Sequence, residues 1–166
     1  MQKIYKRTFV RNDSRELYIY GYNEHTERAS KELDVTFPSK PHLRWNKPRQ
    51  EWVTYSAGRK NRTAFPPTKY CPLCPGGNLN FPTEIPFKNF EVAVFPNRWS
   101  SFNTHNESLV FDDIKTKNSN GHCEVIVYSA GHHDTLADME LDRIKLLLHA
   151  WIDRYKELII RDDIQY

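Results

Sequence analysis

The chain has 166 residues, of which 39% are hydrophobic and 27% charged, and its formal net charge is +3 at pH 7. This length and apolar content predict a globular protein with one hydrophobic core. The small net charge gives no sign of a nucleic-acid partner, and no apolar run approaches the roughly 20 residues of a membrane span. Since no signal peptide follows Met1, we expect a cytoplasmic protein without membrane or nucleic-acid partners.

The first part of the chain, residues 1–40, is predicted to form an N-terminal strand and a connector arm. Aliphatic and aromatic side chains alternate from Leu17 to Tyr22 after a turn signal at residues 11–15, which predicts a strand. We interpret the tyrosines of this strand as packing residues rather than as a stacking platform. The charged segment from Glu24 to Lys40 is typical of a connector.

A second strand pair is predicted from His42 onward. Residues 43–46 and 51–55 are rich in aromatic and β-branched side chains and flank a Lys-Pro turn, which predicts a hairpin. The loop after it carries Arg59 and Arg62. Two planar guanidinium groups on one loop can hold a diphosphate, although such a run can also be an ordinary solvated surface.

The sequence Cys71-Pro72-Leu73-Cys74 followed by Pro75-Gly76-Gly77 is the strongest local signal. Two cysteines separated by two residues form half of a tetrahedral zinc site. Prolines stiffen such a loop and glycines allow the positive φ values that fold it back. With three cysteines in all, a metal site in a reducing compartment is a better interpretation than a disulfide framework.

Two further strands are predicted at residues 90–95 and 122–129, each followed by polar residues that could serve a site. Asn97 and Arg98 follow the first and could contact a nucleotide, or simply form a turn. His132 and His133 follow the second, and either could be the third zinc ligand.

A long amphipathic helix is predicted up to residues 161–163, and residues 164–166 resemble the start of another strand. Thr135 and Asp138 resemble a capping box at its start, and apolar residues recur at three and four afterwards, which predicts a helix packed on the sheet. The predicted packing residues are Ile144, Leu147, Leu148, Trp151, Ile152, Tyr155, Leu158 and Ile159.

Several short motifs in fixed order carry a resemblance to a known family. The chain from about Leu43 to Tyr166 resembles the N-terminal half of the galactose-1-phosphate uridylyltransferases, in the histidine-triad superfamily. The matching pieces are Arg44-Trp45-Asn46, Glu51-Trp52-Val53, Arg59 with Arg62, Cys71 to Gly76, Val94 to Arg98, Glu124 to Ile126, and Ser129 with His132.

This resemblance implies a fold and a reaction. The expected fold is α+β, an antiparallel sheet with a long packed helix in a histidine-triad-like half-barrel that is incomplete at the C-terminus. The first domain boundary is placed at residue 40, and residues 41–166 are expected to form the uridylyltransferase domain. The reaction implied is a double displacement in which a histidine takes the uridylyl group of UDP-glucose and passes it to galactose 1-phosphate.

The resemblance also implies roles for single residues. Cys71, Cys74 and His132, rather than His133, match zinc ligands, so the expected cofactor is Zn²⁺. Arg59 and Arg62 match a loop that contacts the substrate's phosphates. An aromatic wall (Phe95), a uridine-pocket amide (Asn97) and a basic residue at a variable position (Arg98) complete the expected substrate site.

The family's His-Pro-His motif, which supplies a fourth zinc ligand and the nucleophile, does not occur among these residues. We therefore expect a fragment truncated before that motif, inactive alone, with exposed apolar surface on its last helix. A homodimer or a missing C-terminal half is the expected partner.

Three alternatives remain open. The chain could be another histidine-triad nucleotidyltransferase or phosphorylase. It could be a zinc-stabilised module that binds nucleotides. The two-cysteine loop could also be redox-active, although the proline and glycines after Cys74 disfavour the helix N-terminus that such a site needs.

Overall fold

A computed structural model of the chain describes residues 2–32, 41–61, 67–76, 82–102 and 113–164. The described residues form seven strands and one α-helix, with short 3₁₀ helices at Ala57–Asn61, Thr68–Tyr70 and Leu136–Asp138. In chain order the main elements are β1 (Tyr5–Val10), β2 (Glu16–Gly21), β3 (His42–Asn46), β4 (Glu51–Tyr55), β5 (Val92–Pro96), β6 (Thr116–Asn118), β7 (Glu124–Val127) and α1 (Leu141–Ile159). The predicted α+β class is confirmed.

The larger sheet has four antiparallel strands in the order β1-β2-β5-β7. Because side chains alternate between the two faces of a strand, the sheet carries a separate apolar cluster on each face. One cluster joins the strands to the segment that follows the two-cysteine loop, through Leu17, Ile19, Ile85, Phe87, Phe90, Ala93 and Phe95. The other joins them to α1, through Tyr18, Tyr20, Val92, Val94, Leu146, Leu147 and Ala150.

The N-terminal strands are an integral part of this sheet. β2 lies between β1 and β5, and its register aligns Tyr18 with Val94. Tyr18 and Tyr20 are buried against α1, which confirms the interpretation of these tyrosines as packing residues. The strand β1 was not predicted, and the domain boundary at residue 40 stays a prediction.

The smaller sheet has the order β4-β3-β6, also antiparallel. It contains the predicted hairpin, in which Trp45 lies opposite Trp52 with ring centroids 5.4 Å apart. The two sheets are open in the described residues, so closure into a half-barrel stays a prediction.

The start of the long helix was predicted wrongly. The Thr135 hydroxyl donates a hydrogen bond to the Asp138 carboxylate at 2.6 Å, but it caps no backbone N–H. Met139 then adopts an extended conformation, so the first turn is a 3₁₀ helix and α1 begins only at Leu141.

The packing face of α1 is also rotated from the predicted one. Leu146, Leu147, Ala150 and Arg154 are its buried residues, and only Leu147 had been expected there. The packing face includes a buried arginine, Arg154, whereas several apolar side chains of the helix are exposed. A pattern based on apolar residues alone therefore predicts the wrong face. The exposed apolar face of α1 comprises Leu141, Leu148, Trp151, Ile152, Tyr155 and Ile159. None of the helices in the described ranges has the length and apolarity of a bilayer span.

Candidate functional site

The loop that carries Cys71 and Cys74 follows the 3₁₀ helix Thr68–Tyr70 and is fixed by backbone hydrogen bonds. The Glu84 N–H donates to the Pro72 carbonyl at 2.8 Å, and the Gly76 N–H donates to the Ile85 carbonyl at 2.9 Å. Gly76 has φ of 74°, a left-handed conformation that confirms the predicted role of a glycine in this turn. Gly77 lies outside the described residues.

His132 sits in a tight turn immediately after β7. The Gly131 N–H donates to the Ser129 hydroxyl at 3.1 Å, and that hydroxyl donates to the Asp134 carboxylate. A Cβ at Gly131 would lie 2.3 Å from an Asp134 side-chain oxygen, so a larger residue there would displace the Asp134 carboxylate from this turn. The turn therefore directs the His132 ring toward the two-cysteine loop.

Cys71, Cys74 and His132 converge on one point. Their ligand atoms lie within 4.8 Å of one another, and Cys74 Sγ is 3.0 Å from His132 Nδ1. A tetrahedral zinc ion with bonds of about 2.3 Å to sulfur and about 2.0 Å to nitrogen needs ligand atoms about this close together. The residues present thus fit a zinc ion with one position left for another ligand. His133 packs edge-on against the His132 ring at 4.7 Å and belongs to no such group in the described residues.

The ionisation of the Cys74 thiol argues against a redox site. Burial and then the neighbouring Cys71 sulfur raise the pKa of Cys74 to about 11. Reactive and redox-active thiols show the opposite shift, toward lower pKa values. Without a metal the Cys74 thiol is therefore protonated near neutral pH, and a metal ion that binds it must displace that proton.

A cavity of about 1200 Å³ opens beside this group. It lies on the face of the larger sheet opposite α1, over β5 and β7. Its lining includes Arg59, Cys71, Cys74, Glu84, Phe95, Asn97, Arg98, Trp99, His132 and His133. The cavity brings together Cys71, Cys74 and His132, called the metal group below, and four of the five residues predicted to bind substrate.

The two arginines of this cavity supply positive charge. Arg59 lies on the 3₁₀ helix Ala57–Asn61, and its Nη1 donates to the Ser101 hydroxyl at 2.7 Å. The Arg98 guanidinium lies 4.7 Å from the centre of the Trp99 ring, and its buried Nε has no hydrogen-bond partner among the described residues. Arg62, the other predicted phosphate contact, lies outside the described residues.

Asn97 and Phe95 form the cavity wall at the end of β5. The Asn97 side chain holds a turn, because its Oδ1 accepts from the Trp99 N–H at 2.9 Å and its Nδ2 approaches Cys123 Sγ at 3.6 Å. Phe95 is 1% exposed and belongs to the core cluster of the sheet. Phe95 therefore forms a buried part of the cavity wall, and Asn97 shapes the cavity at the end of β5.

Glu84 was missed by the sequence interpretation. It lines the cavity although its residue is only 2% exposed, and it is bonded to two arginines. No local signal marks a single glutamate between prolines as buried. Only the pairing with distant arginines makes its burial possible.

A family model and three known proteins that are similar to this chain all carry the name of the same enzyme. Residues 31–166 match the family model described as galactose-1-phosphate uridyl transferase, N-terminal domain. The galactose-1-phosphate uridylyltransferase of Thermotoga maritima is 32% identical over 127 residues, which is 75% of this chain and 38% of that protein. The enzyme of the same name from Streptomyces lividans is 30% identical over 99 residues, 60% of this chain and 23% of that protein.

A more distant relative is the galactose-1-phosphate uridylyltransferase of Saccharomyces cerevisiae, 26% identical over 143 residues, 71% of this chain and 38% of that protein. No solved structure matches the chain significantly. The chain thus spans well under half the length of these relatives. Because the family model covers most of the chain, the protein belongs to the galactose-1-phosphate uridylyltransferase family and contains its N-terminal domain.

Proposed function

We propose that this chain binds a zinc ion and the uridine diphosphate part of UDP-glucose. In this proposal it is the nucleotide-binding part of an enzyme that transfers the uridylyl group to galactose 1-phosphate. The observation that carries the proposal is the convergence of Cys71, Cys74 and His132 beside a cavity that also contains Arg59 and Arg98. Zinc bound there would hold the two-cysteine loop against the end of β7 and so fix one wall of the cavity.

The proposal assigns a part in binding UDP-glucose to several residues of the cavity. Arg59 and Arg98 offer guanidinium groups to the diphosphate, which suits bidentate contact with phosphate oxygens. Arg62 joins them in this proposal, as a neighbour of Arg59 in sequence. Asn97 shapes the uridine pocket, with Phe95 beneath it and the Trp99 ring beside it. The donors together would spread the negative charge of the α-phosphate during transfer.

The covalent step requires a histidine that these residues do not supply in the expected motif. The nucleophilic nitrogen forms a bond to the α-phosphorus while the bond to the glucose 1-phosphate oxygen breaks. The seven histidines of the chain include no His-Pro-His sequence. We therefore propose that the 166-residue chain binds the nucleotide sugar without turning it over.

Exchange between UDP-glucose and galactose 1-phosphate tests that part of the proposal. The purified 166-residue chain, loaded with zinc, is expected to form no UDP-galactose above the no-protein control, because the nucleophile is missing. A full-length uridylyltransferase serves as the positive control. Turnover by the pure chain that rises in proportion to its concentration would contradict the proposal.

Binding of UDP-glucose tests the cavity itself. Arg59→Ala removes a guanidinium from the proposed phosphate site, and a charge-assisted hydrogen bond is typically worth about 1.5–3 kcal/mol. We expect the Kd for UDP-glucose, measured by isothermal titration calorimetry, to rise roughly tenfold or more. The matched control is Arg49→Ala, since Arg49 is 72% exposed on the turn before β4. Equal affinity of both variants and the native chain would exclude Arg59 from the site.

A second candidate function is a nucleotide-binding module, or a related transferase, that prefers another base. It is favoured by one observation, namely that Cys71, Cys74, His132 and the cavity come together in a chain that includes no His-Pro-His sequence. Titration with UDP and ADP separates the two functions. The proposed function predicts tighter binding of UDP, and preference for ADP would favour the alternative.

We propose that this chain associates with a second copy of itself, as a homodimer, or with the C-terminal part that the longer relatives possess. The support for it is the exposed apolar face of α1, since exposed patches of this kind commonly mark association sites. We also propose a cytoplasmic location, because the free thiols of the metal group need a reducing compartment.

A further inference from the structure

Four charged side chains form a buried ion cluster next to the candidate site, and one of them, Glu84, lines the cavity. Arg11, Asp13 and Arg15 come from the turn between β1 and β2, and Glu84 comes from the segment after the two-cysteine loop. Their side chains are 0%, 9%, 5% and 2% exposed. Glu84 Oε2 accepts from Arg11 Nη1 at 2.6 Å and from Arg15 Nη2 at 2.8 Å. The two positive and two negative groups balance, which is the condition for burying charge.

The cluster reaches the two-cysteine loop through the backbone of Glu84. Arg11 Nη1 also donates to the Glu84 carbonyl at 2.8 Å. The N–H of the same residue donates to the Pro72 carbonyl, which lies between the two cysteines, at 2.8 Å. A movement of the Glu84 backbone would therefore be transmitted to the segment that carries Cys71 and Cys74.

The cluster also reaches the end of β5. Arg15 Nη1 donates to the Pro96 carbonyl at 3.0 Å. Pro96 immediately precedes Asn97, whose N–H donates to the Cys123 carbonyl at 2.7 Å. A single arginine thus links the carboxylate behind the metal group to the segment that carries Asn97 and Arg98. Its planar fork suits this double contact, which the single ammonium group of a lysine cannot reproduce.

Asp13 holds this arginine in place. Its carboxylate accepts from the Arg15 N–H at 3.1 Å and from Arg15 Nε at 2.9 Å. Burial raises the pKa of Asp13, but these hydrogen bonds outweigh burial, and the pKa lies below its ordinary value. The Arg15 side chain is therefore fixed at its base as well as at both ends of its fork.

We propose that Arg15 and Glu84 are positioning residues that set the distance between the zinc ligands and the nucleotide segment. The inference rests on the proposed function, because it concerns residues that position the proposed zinc ligands and the proposed nucleotide segment. Residues that orient metal ligands commonly affect metal affinity by about 10–100-fold when they are changed. Arg11 and Arg15 lie before residue 31, outside the part of the chain that matches the family model. The N-terminal hairpin thereby contributes to the site without touching it.

The experiment measures zinc affinity by competition with a chromophoric chelator, using zinc alone as the probe. Arg15→Lys keeps the charge but loses the double contact, and we expect its zinc Kd to rise about tenfold. Glu84→Gln is expected to do the same. The double variant should bind zinc no more weakly than Glu84→Gln alone, because both residues act through one link. Arg49→Lys is the matched control, since Arg49 is highly exposed, and its Kd should equal that of the native chain.

The outcomes separate a positioning role from a purely structural one. Circular dichroism and urea unfolding identify the variants that fold, and Arg15→Lys carries the test if Glu84→Gln does not fold. Lower stability with native zinc affinity in folded Arg15→Lys would overturn the inference. Additive effects of the two substitutions would overturn it as well.

A metal-free measurement keeps this test independent of the proposed function. Failure of the native chain to bind zinc would contradict the proposed metal site itself. Hydrogen exchange at the Gly76 and Asn97 amides of the metal-free chain then decides the positioning role. Exchange at both amides at least about tenfold faster in Arg15→Lys than in Arg49→Lys would support the link. Unchanged exchange at both would overturn it.

Discussion

Replacing Cys74 by serine is expected to remove tight zinc binding from this chain. A structural zinc site with four ligands gains about 10–16 kcal/mol. One lost thiolate therefore corresponds to about 3 kcal/mol, or roughly a hundredfold in Kd. The effect should be complete in practice, because only Cys71 and His132 would remain of the group. The measurement is the zinc content of purified native and variant chains after dialysis against a weak chelator.

Cys123→Ser is the matched control for the loss of a thiol. Cys123 is partly buried, and its Sγ accepts a weak contact from Asn97 Nδ2 at 3.6 Å. It does not belong to the metal group found among the described residues. Its variant should retain about one zinc per chain, as the native protein does. Equal zinc content in Cys74→Ser and Cys123→Ser would contradict the assignment of the ligands.

Replacing Glu124 by glutamine should give the largest loss of stability that we predict. Glu124 accepts a bidentate contact from Arg154, with Nη2 to Oε1 at 2.7 Å and Nε to Oε2 at 3.0 Å. Both side chains are 7% exposed, and the guanidinium also lies 3.8 Å from the centre of the Tyr18 ring. Removing Glu124 from this buried pair leaves the Arg154 charge compensated only by the exposed Glu157. We therefore expect the free energy of unfolding at pH 7 to fall by about 3 kcal/mol.

The same substitution should change how stability depends on pH. Burial raises the pKa of Glu124, but hydrogen bonds from His122 and Arg154 outweigh burial and hold the pKa below its ordinary value. A carboxyl group with a lowered pKa in the folded state stabilises the protein fully above its unfolded pKa. That contribution is lost as the pH falls through the folded value. The native chain should therefore lose stability between about pH 5 and pH 3, and Glu124→Gln should lose less over that range.

Urea unfolding at several pH values checks both statements. Glu157→Gln is the matched control, because Glu157 also contacts Arg154 but is 44% exposed. An exposed ion pair contributes at most about 1 kcal/mol, so this variant should remain near native stability. Equal destabilisation by the two substitutions, or the same acid dependence in Glu124→Gln and the native chain, would contradict the account.

Local patterns in the sequence predicted β2, β3, β4, β5 and β7 and the two-cysteine loop, but not β1 or β6. The strand at Glu51–Tyr55 and the helix after Leu141 follow from residue type and periodicity, because neighbouring residues determine both. The positive φ of Gly76 follows from the same local chemistry. The pairing of Cys71 and Cys74 with His132 rather than His133 needed the family resemblance. Spacing alone could not distinguish two adjacent histidines.

Contacts between residues that are far apart in the sequence could not be predicted from local patterns. The buried face of α1 depends on Arg154, which is acceptable there only because Glu124 and Tyr18 lie against it. The ion cluster joins Arg15 to Glu84, which are 69 residues apart. A charged residue has the same appearance in sequence whether it is solvated or buried in a pair. For this reason the sequence interpretation assigned the apolar helix residues to the sheet and missed Glu84.

X-ray absorption at the zinc edge of the loaded native chain tests the central assignment most directly. The account predicts two sulfur neighbours at about 2.3 Å and one imidazole nitrogen at about 2.0 Å, with a further light atom completing the site. Any zinc that Cys74→Ser retains under loading should show one sulfur neighbour instead of two. A first shell of nitrogen and oxygen alone in the native chain would contradict the assignment of Cys71, Cys74 and His132 as zinc ligands.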